Sequence, residues 1–94
     1  MSELKVLWTK QFKKDYKAAI KRNQNIELLD EIIRILAKDG TLGIKYKDHS
    51  LSGNWKSYRE CHITPDWLLI YKIDSGQLIL VLARTGTHSS LFNK

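Results

Sequence analysis

The sequence predicts a single α+β domain of order βααβββ, in which two N-terminal helices pack on a small antiparallel sheet. Three observations predict it. Apolar residues recur at three- and four-residue steps early in the chain, and apolar runs of strand length take over in its second half. The chain also has 94 residues, too few to divide between two hydrophobic cores, so residues 1–94 are read as one domain.

Leu4 to Trp8 reads as a short strand and Thr9 as the N-cap of a first helix ending near Arg22. At about 100° per residue, Phe12, Tyr16, Ala19 and Ile20 gather on one side of that helix, and Lys10, Lys14, Lys17 and Lys21 on another. After the polar break Arg22-Asn23-Gln24-Asn25, Ile26, Leu29, Ile33 and Leu36 mark a second helix, with Ile32 alongside and Gly40 as its stop. From Gly40 to Asn54 the periodicity is lost, and Gly43, Lys45, Lys47, Asp48, His49, Ser50 and Gly53 indicate a long exposed connection. Three strand-like runs follow, Trp55 to His62, Trp67 to Ile73 and Gln77 to Arg84, the last two joined as a hairpin across Asp74-Ser75-Gly76. Both of these last runs are apolar on their two alternating faces, as central strands are, and a short turn or helix is expected near Ser89 to Phe92.

Sixteen Lys and Arg against ten Asp and Glu give a net charge of +6, which favours polyanionic partners such as nucleic acid. Much of it lies on the first helix, where Lys10, Lys13, Lys14, Lys17, Lys21 and Arg22 are opposed only by Asp15. Lys10, Lys14 and Lys17 are candidate RNA contacts, although lysines also serve simply to solvate an exposed helix face. The single cysteine, Cys61, excludes an intramolecular disulfide and a cysteine-based zinc site, and reads as a small buried strand residue. No signal-peptide core or bilayer-length apolar run of roughly 20 residues is visible, so a cytoplasmic protein with no membrane association is expected.

His49, His62 and His88 all fall after the helices, beside loops and strand ends. Histidine exchanges protons near neutrality, so several that converge suggest acid-base chemistry, whereas any one alone can be a hydrogen-bonded structural residue. Pro65 makes a turn that brings Asp66 toward His62, where its carboxylate either orients an imidazole or caps the turn. Trp67 is a candidate stacking platform for a base or a core residue opening an apolar strand. Arg84 precedes Thr85-Gly86-Thr87-His88, and its planar fork suits a phosphodiester and the added charge of a pentavalent transition state.

These blocks in order, Tyr46-Lys47-Asp48-His49, Gly53-Asn54-Trp55-Lys56, Tyr58-Arg59, His62, Pro65-Asp66-Trp67, Ile70-Tyr71 and Arg84-Thr85-Gly86-Thr87-His88, resemble YafQ-type toxins of the RelE/ParE toxin-antitoxin superfamily. The resemblance spans nearly the whole chain and implies a RelE-like fold and an mRNA endonuclease that works in the A site of the 70S ribosome. It also implies a cognate antitoxin that silences the toxin, in a heterotetramer or higher complex. Residue by residue, it places active-site positions on His49, His62, Asp66, Trp67, Arg84, His88 and Phe92. One departure is Ser50, where a proline commonly follows the loop histidine.

RNA carries its own nucleophile in the 2′-hydroxyl, so cleavage needs a base, an acid and a charge stabiliser, and neither a metal nor another cofactor is expected. His49 or Asp66 would assist deprotonation of the 2′-hydroxyl, Arg84 would steady the phosphate, His88 would protonate the departing 5′-oxygen and His62 would support them. Phe92 either stacks on a base or folds back on the sheet. A non-enzymatic ParE-like toxin acting on DNA gyrase would leave the histidines unexplained. A catalytic zinc site lacks a compact pair such as His-x-x-x-His, and a plain RNA-binding module would bind without cutting.

Overall fold

The computed structural model describes residues 3–39 and 41–92. Strand β1 (Lys5–Trp8) leads into helices α1 (Lys10–Lys21) and α2 (Ile26–Asp39). Strands β2 (His49–Ser50), β3 (Arg59–Thr64), β4 (Trp67–Asp74) and β5 (Ile79–Gly86) follow, and a short helix α3 (His88–Phe92) comes last. The strands form one sheet in the order β1-β5-β4-β3-β2. The α+β class and the helical half agree with the sequence reading; Gly40, the expected stop of α2, lies outside the described residues.

Helix α1 starts where the sequence places it, because Thr9 Oγ1 accepts the Phe12 amide at 3.0 Å and satisfies one of the first turn's orphan donors. It ends where Asn23 enters the left-handed region at φ 61. Phe12 and Ala19 of α1, with Leu29, Ile32 and Leu36 of α2, bury against Cys61, Leu69, Tyr71, Leu80 and Leu82 of the sheet. Both helices therefore cover one face. Leu68, Ile70 and Ala83 point to the other face, under Leu91 of α3 and the partly buried Leu51, Trp55, Tyr58 and Phe92. The central strand β4 is covered on both sides, which is why its sequence reads WLLIY without polar alternation.

Three features depart from the expected layout. The sheet is mixed, since β1 runs parallel to β5 in the register Lys5 with Ile79 to Trp8 with Leu82, while the other pairs are antiparallel. The backbone link Thr9 N–H to Leu82 O (3.3 Å) and the hydroxyl bond from Thr9 to Ala83 O (3.1 Å) continue that pairing into the cap of α1. Within the expected long connection, His49 and Ser50 form a strand opposite Glu60 and Arg59. The run from Trp55 is not extended at its start: Gly53–Trp55 is a 3-10 turn and Ser57 adopts φ 86, so β3 begins only at Arg59.

Candidate active site

The register of the sheet assembles the site. Residues directly opposite in an antiparallel pair share a face. His62 lies opposite Leu68, Glu60 opposite Ile70, and His49 opposite Glu60, so all three side chains belong to the face away from α1 and α2. The segment Thr85-Gly86-Thr87 brings the third histidine onto the same face. Thr85 donates its hydroxyl to Leu68 O at 2.7 Å, tying the end of β5 to β4. Thr87 and Ser90 cap α3 reciprocally: Ser90 Oγ accepts the Thr87 amide at 2.9 Å, and Thr87 Oγ1 accepts the Ser90 amide at 3.2 Å. A Cβ on Gly86 would stand 2.5 Å from Ser90 Oγ and 3.2 Å from Leu91 Cδ2, so a side chain there would displace the Ser90 hydroxyl that caps α3.

The result is a row of rings. His49 and His62 are 6.4 Å apart between centroids, His62 and His88 6.0 Å, and His88 and Phe92 6.0 Å. His49 Nδ1 donates to the Lys47 carbonyl at 2.8 Å, and its Nε2 lies 3.2 Å from Glu60 Oε1. The same Glu60 oxygen is 3.9 Å from His62 Nε2. The Glu60 side chain is only 4% exposed, against 51% for His49 and 21% for His62, so a buried carboxylate underlies two accessible imidazoles. A groove of about 330 Å³ opens beside His62, lined by Leu28, Tyr46, Ile63 and Pro65 and flanked by Lys45 and Lys47.

A cluster on the helix face holds this arrangement in register. Asp48 accepts from the Tyr71 hydroxyl at 2.7 Å and from Arg59 Nε at 3.2 and 3.3 Å. Burial, followed by the hydrogen bond to Asp48, pushes the Tyr71 phenol well above its ordinary range, and the Asp48 bond raises the Arg59 guanidinium. Both remain donors at neutral pH. Cys61, buried between them in sequence and core, has its thiol pushed up by burial, which suits an inert residue and not a nucleophile.

Other residues singled out in the sequence lie elsewhere. Trp67 is 1% exposed and packs in the core under the helices, which corrects the stacking role: a base has no access to its ring. Lys10, Lys14 and Lys17 are exposed on the side of α1 roughly half a turn from Phe12 and Ala19, so they point away from the sheet and do not line the histidine row. Arg84 is engaged by α1, with Nε and Nη2 on the two oxygens of Asp15 at 2.9 and 3.2 Å. The Thr85 amide donates to Asp15 as well, at 3.2 Å. Asp66 sits exposed in the β3–β4 turn and forms no hydrogen bond or ion pair among the described residues. Phe92 is half-buried, packed on the apolar patch beneath α3 while its ring extends the row.

Sequence reasoning missed Glu60, Asp48 and Asp15 as parts of this framework. For Glu60 a signal existed, because residues two apart on a strand share a face and Glu60 precedes His62 by two.

Comparison with known proteins gives consistent matches. A family model described as the bacterial toxin of type II toxin-antitoxin systems, YafQ, matches residues 4–93. The mRNA interferase toxin YafQ of Escherichia coli strain K12 is 40% identical over 93 residues, covering 98% of this chain and 99% of that protein. The crystal structure of YafQ from E. coli strain BL21(DE3) superposes with a TM-score of 0.87 at 39% identity, over 96% of this chain and 99% of the other. The toxin in the crystal structure of the E. coli DinJ-YafQ toxin-antitoxin complex gives 0.87 at 40% identity, over 96% and 98% of the two chains.

Proposed function

Since this chain belongs to the YafQ family of bacterial toxins from type II toxin-antitoxin systems, we propose that it is an endoribonuclease that cuts mRNA on the ribosome by metal-free acid-base chemistry. The observation that carries the reading is the row His49, His62 and His88 on one exposed face, with neighbouring rings about 6 Å apart. Two imidazoles at that spacing can each approach a different oxygen of one phosphodiester.

In the reaction, a base takes the proton of the 2′-hydroxyl as the 2′-oxygen bonds to phosphorus. The bond from phosphorus to the 5′-oxygen breaks, and that oxygen receives a proton from His88. The products are a 2′,3′-cyclic phosphate and a free 5′-hydroxyl. Charge building on the phosphate is met by the histidine row and by Arg84, whose Nη1 is not taken by Asp15. Phe92 stacks on a base at the end of the row, and the groove between Lys45 and His62 seats a flanking nucleotide. Asp66, exposed in the adjoining turn, assists proton transfer only when substrate draws it toward His62. Lys10, Lys14 and Lys17, directed outward, contact ribosomal RNA and not the cleaved strand. A cognate antitoxin silences the toxin, in a heterotetramer or larger complex in the cytoplasm. No described helix is long and apolar enough to cross a membrane.

Primer-extension mapping of mRNA in cells briefly expressing the chain tests the reading, alongside cleavage by the purified chain on programmed ribosomes with and without a transition-metal chelator that leaves magnesium in place. Discrete in-frame cuts that vanish in His88→Ala, and in vitro cleavage that survives the chelator, are expected. Growth arrest without cuts would move a gyrase-directed toxin to the front, and loss of cleavage on chelation would overturn the metal-free chemistry.

A further inference from the structure

We propose that Trp55, Lys56, Tyr58 and Lys72 form a second RNA subsite, which holds the strand flanking the cut beyond Phe92. The inference rests on the ribonuclease reading above and extends it to the length of single-stranded message that the chain grips.

The register of the sheet puts these residues on the histidine face. Leu68 and Ile70 of β4 point to that face, so Lys72, two residues further on, does too. Arg59 lies opposite Tyr71 and Glu60 opposite Ile70, and the same pairing continued by one residue sets Tyr58 across from Lys72. The Lys72 ammonium accordingly stands 5.1 Å from the centre of the Tyr58 ring. Trp55 packs edge to face against Tyr58, with centroids 5.3 Å apart and the rings at 88°. Trp55, Tyr58 and Phe92 all rest on one buried patch, made by Leu68, Ile70, Ala83 and Leu91. The aromatic surface that begins at His49 therefore extends past Phe92 and ends at a lysine.

Charge points to a polyanion as the occupant. Lys56 and Lys72 make no ion pair among the described residues. The carboxylates on their face are already engaged, Glu60 with His49 and His62, and Asp74 with the Gln77 amide at 3.1 Å. A lysine whose stem lies on an aromatic ring while its ammonium stays unpaired is set to meet a phosphate.

The turn that carries Trp55 is stiffly built. Gly53 and Ser57 hold φ 66 and φ 86, the second at a steric cost to a residue with a side chain. The Leu51 amide donates to Tyr58 O and the Tyr58 amide to Trp55 O, both at 2.9 Å. Trp55 is left half-buried, packed on the patch and open to solvent at once. A base of any identity can stack on such a ring, so the subsite grips RNA without reading its sequence. Tyr58 lies four residues from His62, roughly 14 Å at about 3.4 Å per residue, so only RNA that runs on beyond the cut reaches Lys72.

Binding of 2′-O-methyl RNA, which lacks the nucleophile and stays intact, tests the subsite in the wild-type chain. An RNA of about three nucleotides covers the histidine row alone, whereas one of about ten reaches Lys72. By fluorescence anisotropy the longer RNA should bind about tenfold more tightly, as one more stacked base provides. Lys56→Gln combined with Lys72→Gln keeps both stems. It should remove most of that gain, leave the short RNA unaffected and lower the salt slope of the longer one by about 1.4, or about 0.7 for each phosphate contact. The longer RNA should also quench a tryptophan signal that Trp55→Phe abolishes, since Trp8 and Trp67 pack on the helix side of the sheet. No gain with length, or a full gain in the double variant, would overturn the inference. Polyglutamate that binds as tightly as the longer RNA, through the same lysines and without quenching, would mark a surface for an acidic protein and overturn it as well. The length comparison needs only the wild-type chain, so a variant that fails to fold does not remove the test. A chain that shows the gain and the quenching yet cuts no message overturns the ribonuclease reading, and the subsite stands.

Discussion

Arg59 Nε donates to both carboxylate oxygens of Asp48, at 3.2 and 3.3 Å, and these two residues immediately precede Glu60 and His49. The contact on the helix face thus sets the register of a two-residue strand on the histidine face. Asp48→Ala removes the acceptor for Arg59 and for the Tyr71 hydroxyl. Stability should fall by about 1–3 kcal/mol, as expected when hydrogen bonds to a charged group are lost. Cleavage should fall by about 10²-fold because a misplaced catalytic group costs that much. Thermal unfolding and single-turnover kinetics check the two effects, and a variant that loses stability but not rate would dissociate the cluster from the site.

Gly86→Ala tests the close approach of α3 to β5. The added methyl meets Ser90 Oγ and the Leu91 side chain, so the Ser90 hydroxyl must leave its cap on α3, which loosens the helix that carries His88. The expected outcome is a loss of about 1–3 kcal/mol from overpacking, and a fall in kcat larger than any change in KM. Wild-type kcat would show that His88 need not be held by this turn.

The pair Arg84–Asp15 joins the last strand to the first helix, with side chains 25% and 10% exposed. A double-mutant cycle on Asp15→Ala and Arg84→Ala should give a coupling of about 1–3 kcal/mol in unfolding, since the contact is bidentate and largely shielded. Asp15→Ala should leave most of the cleavage, because Arg84 is then freed toward the phosphate. Arg84→Ala should lower both stability and cleavage. Equal kinetic effects of the two substitutions would reduce Arg84 to a structural role.

Burial, and then the hydrogen bond to Asp30, pushes the Tyr16 phenol up to about 12 from an ordinary 10.0. The folded chain keeps this proton where the unfolded chain has released it. The stabilisation is therefore complete below pH 10 and is lost as pH rises toward 12. Unfolding followed between pH 9 and pH 12 should show a steep decline that Tyr16→Phe makes shallower, and identical slopes would remove Tyr16 from the alkaline transition.

Both long helices were legible because their apolar positions follow the helical period and Thr9 is a strong cap. β2 was not, since two residues, His49 and Ser50, are too few to display alternation. The start of β3 was misplaced because Trp55 and Tyr58 look like strand residues, while the left-handed Ser57 between them carries no sequence mark. Nothing local told β1 that its partner would be β5 in parallel. The histidines were legible by residue type alone. Their buried counterpart was not, because a single Glu in a strand resembles an ordinary solvent-facing charge until the register shows what lies opposite. Trp67 illustrates the converse, a residue named by its place in a motif whose burial gives it a packing role.

The pairing of β1 with β5 also orders events in time. Thr9 and Ala83, bonded to each other, are 74 positions apart in the chain. During synthesis, at about 5–20 residues per second, both helices can form while β1 still has no neighbour. The sheet closes only when β5 has emerged, and α3, which delivers His88, follows it. The row of rings is therefore completed late in synthesis, once α3 brings His88 beside His62 on the face that β2 and β3 build.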